Sequence, residues 1–403
     1  MSVNTNKIGT NILLLGFVSF LADTSTHMIK PILPMFIAAL GGGGLAVGTI
    51  GGLTDALASL LKVFSGHWAD RIRRCKPFIF FGYLTSGIFK LLFPLSTTWQ
   101  HMLVLMPMER TGKGLREAPR DALIAASSEF GTRGRGFGFH RAMDTAGSVL
   151  GSLLAFVLIA ALAFSIKSIL FISALVAFSS VVPIFFVREQ KASEVPGSVL
   201  SLSLKGLPRS FRLFLVAATV YSLGNFTYMF LILRATQFFS AGLSMAMPIL
   251  LYILINVAYA ALSYPSGLLS DQIGRKKVLI MGYALFAITC LGLAVTQVWS
   301  GLALFFGLYG VHRALTDGAQ RALVADLVAP DIRGTALGAF HTATGLAAFP
   351  ASIIAGILWQ IAPLWTFLYG SVMGFAAAIL LTALIRSGRT GALSPDPSKS
   401  VNY

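Results

Sequence analysis

Charge is scarce in this chain. Of 403 residues only 11% are Asp, Glu, Lys or Arg, against roughly 25% in an ordinary soluble protein. Acidic residues are the scarcer kind, 15 against 31 Lys and Arg. A water-facing surface cannot be built from so few charges, which excludes a soluble enzyme. Cysteine is also nearly missing. Cys75 sits among Arg71, Arg73, Arg74 and Lys76, and Cys290 in an apolar run, so neither a disulfide framework nor a thiolate metal site is in prospect. No His-Glu-x-x-His pair is present, and Gly112-Lys113-Gly114 lacks the Ser or Thr of a phosphate loop. What abounds is apolar: 56% of residues are hydrophobic and 31 are Phe. That is the composition of an integral membrane protein. The net charge of +16 then marks loops held on the cytoplasmic side of a bilayer, not a nucleic-acid partner.

A helix needs about 20 mostly apolar residues to cross about 30 Å of hydrocarbon. Twelve runs qualify: 11–38, 46–69, 78–95, 101–125, 136–163, 165–187, 211–236, 247–270, 278–296, 300–326, 335–360 and 363–386. The first follows Lys7, is interrupted by Asp23, His27 and Lys30, and has no small-residue cleavage site after it, so it reads as a span and not a removable signal. The Asn225-Phe226-Thr227 sequon falls inside the seventh span and is no glycosylation site.

Connecting loops alternate in charge. One set carries Arg71 to Lys76, Arg133 and Arg135, then Arg188, Lys191, Lys205 and Arg209, then Arg275 to Lys277, then Arg333. The other set is nearly bare, Lys167 being the exception. This places both termini and the long central loop in the cytoplasm, with the chain in the cytoplasmic membrane of a prokaryote. The domains expected are a six-helix bundle over 1–187, a cytoplasmic linker over 188–210, a second bundle over 211–386 and a disordered tail over 387–403.

The chain also repeats itself at an offset of 201 residues. Gly66 and Asp70 end span 2 as Gly267 and Asp271 end span 8; Arg120 matches Arg321, and His140 matches His341. Six helices followed by six related ones is a parallel repeat of the kind found in secondary transporters.

The residues around those two loops resemble a known pattern. Gly66 with Asp70-Arg71-Ile72-Arg73-Arg74, and Gly267 with Asp271-Gln272-Ile273-Gly274-Arg275-Lys276, look like the signature loop of the major facilitator superfamily. Arg73 stands where that family has glycine, and Gln272 where it has arginine. The resemblance covers the whole chain. It implies an all-α membrane protein of twelve transmembrane helices in two six-helix bundles, working by alternating access with spans 1, 4, 7 and 10 around a central cavity. Arg110, Gly112 and Gly114 resemble the family's arginine-plus-glycine motif, which is linked to proton coupling. Gly147 and Gly151 resemble its antiporter motif, with Ser152 in place of proline, which favours export over import.

Ionisable groups inside a bilayer are costly, so each is a functional candidate. Asp23 lies about 18 Å along span 1 at a rise of about 1.5 Å per residue, near the midplane. It is read as the proton carrier, with Arg110 as its switch: a buried carboxyl holds its proton more tightly and a nearby guanidinium loosens it. Lys113, Arg116 and Arg120 on span 4, Asn225 on span 7, and His312, Arg313 and Asp317 on span 10 are read as substrate-binding. Steps of three and four align Lys113, Arg116 or Glu117, and Arg120, and align Arg313, Asp317 and Arg321. For Arg116 with Glu117 or Asp121, and for Arg313 with Asp317, buried ion pairs that only fix packing are the competing reading. Gly66, Asp70, Arg71, Arg74, Gly267, Asp271 and Arg275 are read as a conformational latch. Lys62 and Lys167 are read as snorkelling and Arg234 as interfacial; His140 and His341 suit either gating or capping. Nothing in the pattern explains Lys90.

Six cations on spans 4 and 10 face four anions there, so a bound anion would supply missing charge, and arginine suits forked contacts with carboxylate or phosphate. Phe226, Tyr228 and Tyr264 can cover an apolar body. The expected function is therefore proton-coupled efflux of a small amphipathic or anionic solute by a monomer among membrane lipids, with protons as coupling ion and no cofactor or metal. The alternatives are a proton-coupled importer, a lipid or lysolipid flippase, and a transporter-shaped sensor or membrane enzyme. The last lacks any catalytic triad.

Overall fold

A computed structural model describes residues 9–72, 74–128, 133–189, 206–240, 243–329 and 332–386; for 63, 66–72, 133–134 and 384–386 it describes the backbone alone. The described chain is helical throughout. Its rods are span 1 (Thr10–Ile29 and Leu33–Ala39), span 2 (Gly44–Ile72), span 3 (Lys76–Leu92 with Phe93–Leu95), span 4 (Trp99–Ala126), span 5 (Arg133–Ala160) and span 6 (Ile166–Ser179 with Val182–Phe186). The second set is span 7 (Arg209–Gly224 and Met229–Thr236), span 8 (Ala246–Ile273), span 9 (Arg275–Val295), span 10 (Trp299–Asp326), span 11 (Arg333–Ile361) and span 12 (Pro363–Arg386). Twelve rods stand in two bundles of six. Most of the expected linker and all of the expected tail lie outside the described residues.

Spans 1 and 7 are each broken, which the apolar pattern had presented as continuous. In span 1 the cause is covalent. The Lys30 carbonyl would normally accept from the N–H four residues on, but that residue is Pro34, which has none. Span 7 unwinds over Asn225 to Tyr228. The break in span 7 supplies a partner for the one in span 1: the Tyr228 hydroxyl donates to the Lys30 carbonyl at 3.1 Å. A freed carbonyl deep in a bilayer has no water to turn to, so such a partner is required.

The halves meet along two seams, span 2 on span 11 and span 5 on span 8, and where the short second segments of spans 1 and 7 touch. Backbones come close near the bare-loop end, where a Cβ on Gly356 would stand 2.6 Å from the Gly44 carbonyl oxygen. One buried cluster there takes in Ile37, Val47 and Met102 together with Phe230, Ile249 and Leu302. At the charged-loop end the first half keeps a separate cluster, including Leu15, Ile79, Leu123 and Ile184. The halves are thus joined at the bare-loop end and part towards the charged-loop end.

Candidate functional site

Ten rods are long and apolar enough to cross a membrane by composition; spans 4 and 10 are the two that are not. They occupy equivalent places in the repeat. Their charges are buried between neighbours or line the space between halves.

On the second-half side a chamber of about 420 Å³ is lined mainly by spans 7, 10 and 11. Arg313 Nη2 stands 3.6 Å from Asp317 Oδ2, with its guanidinium 4.8 Å from the centre of the Tyr259 ring. Arg321 Nε donates to the Asp317 carbonyl oxygen at 3.0 Å, one turn back. His312 is only 1% exposed: its Nε2 shares a hydrogen bond with the Tyr221 hydroxyl at 3.1 Å, and its Nδ1 has no partner among the described residues. Asn225, at the break in span 7, lines the chamber with Tyr309, Gln320, His341 and Thr344. The first half contributes Ser59 and Arg141, whose Nη2 donates to the Tyr259 hydroxyl at 3.1 Å.

The first-half side differs from the expected pairing. Arg110 Nε lies 3.5 Å from Glu109 Oε2, and Asp23 makes no ion pair or hydrogen bond among the described residues. Asp23 and Arg110 are therefore not joined in this structure. Arg110 instead lies within electrostatic range of Asp55, Tyr228 and Tyr252. Asp55 in turn lies within electrostatic range of Arg110, Lys30, Lys113 and Arg313. Lys113 and Lys62 share Glu117, at 3.6 and 3.2 Å, so Lys62 ties span 2 to span 4. Arg120 binds Asp121 at 2.9 Å and reaches Ser19 Oγ at 3.4 Å; Ser19 also meets His140 Nε2 at 2.8 Å and the Tyr83 hydroxyl at 3.1 Å.

Arg116 points elsewhere. At about 100° per residue it is turned about 60° from Lys113, and it enters a gap on span 3 left by Gly82 and Ser86. Its Nη1 donates to Ser86 Oγ at 2.7 Å and to the Gly82 carbonyl at 3.2 Å, and its guanidinium covers Tyr83 at 4.1 Å. At 4% exposure it holds span 4 to span 3 and does not line the chamber. The expectation that it binds substrate is corrected accordingly.

Lys90 is accounted for in the same region. Its ammonium donates to Ser25 Oγ at 3.0 Å and Thr26 Oγ1 at 2.9 Å and stands 3.7 Å from Glu109 Oε1, joining spans 1, 3 and 4.

At the charged-loop end, Arg275 pairs with Asp271 at 3.4 Å and binds Asp326 at the end of span 10, so spans 8, 9 and 10 are held together. Gly274 turns the chain between spans 8 and 9 with a φ of +96°, a conformation that side chains rarely adopt. In the first half the side chains of Gly66, Asp70 and Arg71 lie outside the described residues, and Arg74 is exposed. The anion at the start of span 3 is Glu189: its carboxylate accepts from the backbone N–H of Cys75 and of Lys76, each at 2.9 Å. Glu189 had no motif to mark it. The available signal was the lack of a Ser, Thr, Asp or Asn just before span 3, a helix start in need of a distant partner.

The Major Facilitator Superfamily profile matches residues 15–258 and 214–402. An uncharacterized MFS-type transporter of Methanocaldococcus jannaschii is 45% identical over 94% of this chain and 96% of its own length. The multidrug resistance protein MdtH of Sodalis glossinidius is 24% identical over 77% of this chain and 76% of its own. Among solved structures, the crystal structure of the nucleoside transporter NupG has a TM-score of 0.76 at 15% identity, covering 94% of this chain and 98% of that one, a likeness of fold.

Proposed function

The chain belongs to the major facilitator superfamily, and within it we propose that this integral membrane transporter exports a small organic anion in exchange for protons. As a member of that family it is a carrier and not an enzyme. One observation carries the substrate reading. Counting only charges more than four residues from a span end, ten cations (Lys30, Lys62, Lys90, Arg110, Lys113, Arg116, Arg120, Arg141, Arg313, Arg321) face seven carboxylates (Asp23, Asp55, Glu109, Glu117, Asp121, Asp144, Asp317). Even with Asp23, Asp55 and Asp144 counted as neutralising, three positive charges stay uncompensated. Unpaired cations at that depth favour an anionic guest. Tyr221, Tyr259 and Tyr309 give the guest an aromatic wall.

Export is favoured by the antiporter-like Gly147 and Gly151 and by the similarity to MdtH, and Asp23, near the middle of span 1, is the proton carrier in this reading. With the charged loops cytoplasmic, the parted end of the halves faces the cytoplasm, an inward-open arrangement ready to load an outgoing substrate. The latch residues Asp271 and Arg275, with Asp70 opposite, would then hold the state in which that end closes.

Binding of matched cationic, neutral and anionic aromatic ligands to the purified protein tests the substrate class. The anion is expected to bind best. Arg313→Ala is expected to weaken it at least about tenfold, since a charge-assisted hydrogen bond contributes ~1.5–3 kcal/mol. Arg116→Ala is expected to lower thermal stability and leave the order of ligand preference unchanged. Preference for the cation, insensitive to Arg313→Ala, would overturn the anion reading.

A further inference from the structure

The chamber does not end at its own wall. Between spans 5 and 8 a second space of about 1040 Å³ lies along the flank of the molecule. Arg141, Tyr259, Asp317 and Arg321 line both spaces, so the two adjoin at these side chains. Their chemistry is opposite. The chamber is lined by tyrosines, histidines and arginines. The flank slot presents Val149, Leu150 and Leu153 from span 5 and Ala260 and Tyr264 from span 8. Leu153 is 48% exposed and Tyr264 75% exposed, so the slot opens outward on the bilayer-facing side.

We propose that chamber and slot form one site for a single-chain anionic amphiphile drawn from the adjoining leaflet. Its phosphate or carboxylate head lies in the chamber on Arg313, Arg321 and Arg141, and its aliphatic chain lies in the slot between spans 5 and 8. This rests on the anion reading above and adds the chain. Charge complementarity selects the head: three arginines meet there against two carboxylates, Asp317 at 3.6 Å from Arg313 and Asp144 at 3.9 Å from Arg141, so one positive charge is left for the guest. Apolar lining selects the tail, because a chain leaving the leaflet for this slot exchanges one apolar surrounding for another while its head gains fixed cations. A polar solute would have no use for the slot, and an uncharged lipid none for the arginines. The arginines at the junction mark where head and tail divide.

The test uses the full chain in lipid nanodiscs and a dodecyl phosphate that carries a photoreactive diazirine on its chain. Labelling is expected in the peptides containing Leu150, Leu153 and Tyr264, with protection by excess unlabelled dodecyl phosphate. Methyl phosphate, a head without a chain, is expected to protect at least a hundredfold less well. Dodecanol, a chain without a charge, is expected to be weaker at least tenfold. Gly138 and Gly318 line the slot, and a Cβ on either meets nothing within 4 Å, so the side chains of Gly138→Leu and Gly318→Leu have room to start into it. Each is expected to cut the protected labelling at least fivefold while methyl phosphate binds as before. Methyl phosphate competing as well as dodecyl phosphate would overturn the slot and leave the anion reading standing. Dodecanol competing equally would overturn the anionic head, and with it the reading beneath. Labelling spread evenly over all lipid-facing spans, without protection, would overturn the proposal even if both glycine variants failed to fold.

Discussion

Gly48→Leu is expected to abolish transport by driving the two halves apart at the bare-loop end, without unfolding either half. A Cβ at Gly48 would fall closer than 3.0 Å to the Ser352 carbonyl oxygen across the span 2–span 11 seam, a separation that Cβ atoms do not tolerate. One turn further, a Cβ at Gly52 would stand 2.9 Å from the Phe349 carbonyl oxygen. Backbone lies on both sides, so no rotamer change relieves the overlap. Alternating access supplies the relief, because the opposite state separates the halves at this end. Overpacking costs about 1–3 kcal/mol, which shifts the balance between states roughly 5- to 150-fold. A cysteine introduced at Thr344, on the chamber wall, should lose reactivity towards a reagent added on the charged-loop side. Gly151→Leu is the contrast. Its Cβ would collide with the Thr24 carbonyl oxygen inside one half, between spans 1 and 5, where no state offers escape. That variant should fail to fold. If Gly48→Leu and Gly151→Leu lose monodisperse protein equally, the span 2–span 11 seam is static.

Lys90→Met is expected to destabilise the protein by ~3–5 kcal/mol, because it leaves the Glu109 carboxylate buried with half its partners gone. Lys90 is 2% exposed and Glu109 6% exposed, too deep for either charge to reach water. Adding Glu109→Gln should restore more than half of the loss, since removing both charges of a buried pair is often close to neutral. The recovery stays incomplete because Arg110 also draws on Glu109 at 3.5 Å. Thermal unfolding of the single and double variants, followed by size-exclusion fluorescence, gives the comparison. A double variant no more stable than Lys90→Met would mean that Lys90 acts through Ser25 and Thr26 and not through Glu109.

Much of the architecture is legible in the sequence because a bilayer leaves few choices. Ten runs are apolar enough that they must be helices, while spans 4 and 10 carry too much charge to qualify by composition and are legible only through the repeat. Loops that alternate in charge must alternate in side. The offset linking Asp70 to Asp271 and His140 to His341 divides the chain in two. Direction around a helix is harder to read. Steps of three and four put Lys113, Glu117 and Arg120 on one stripe, yet Arg116, a fraction of a turn away, belongs to span 3. Only the gap left by Gly82 and Ser86 decides that, and the gap exists only once spans 3 and 4 are packed. Lys90 was inexplicable alone for the same reason, its partners being 19 residues and more away in sequence. The break in span 1 was written plainly in Pro31 and Pro34, but hydropathy averages over prolines. The break in span 7 carries no such mark, and Asn225 came to notice only as a polar residue in an apolar run. The pairing of Asp23 with Arg110 was inferred from shared depth, and depth says nothing about which neighbour lies nearer; Glu109, one residue away, takes Arg110 instead.

We propose that a proton gradient drives an organic anion through the cavity, with Asp23 as the group that carries the proton. The most direct test is transport of the anionic ligand in proteoliposomes with an imposed pH gradient, comparing the native protein with Asp23→Asn. The native protein is expected to accumulate the ligand against its gradient and to stop when an ionophore collapses the pH difference. Asp23→Asn is expected to bind the ligand and exchange it passively, yet accumulate none. Accumulation by Asp23→Asn at the native level, or by the native protein after collapse of the gradient, would contradict the account.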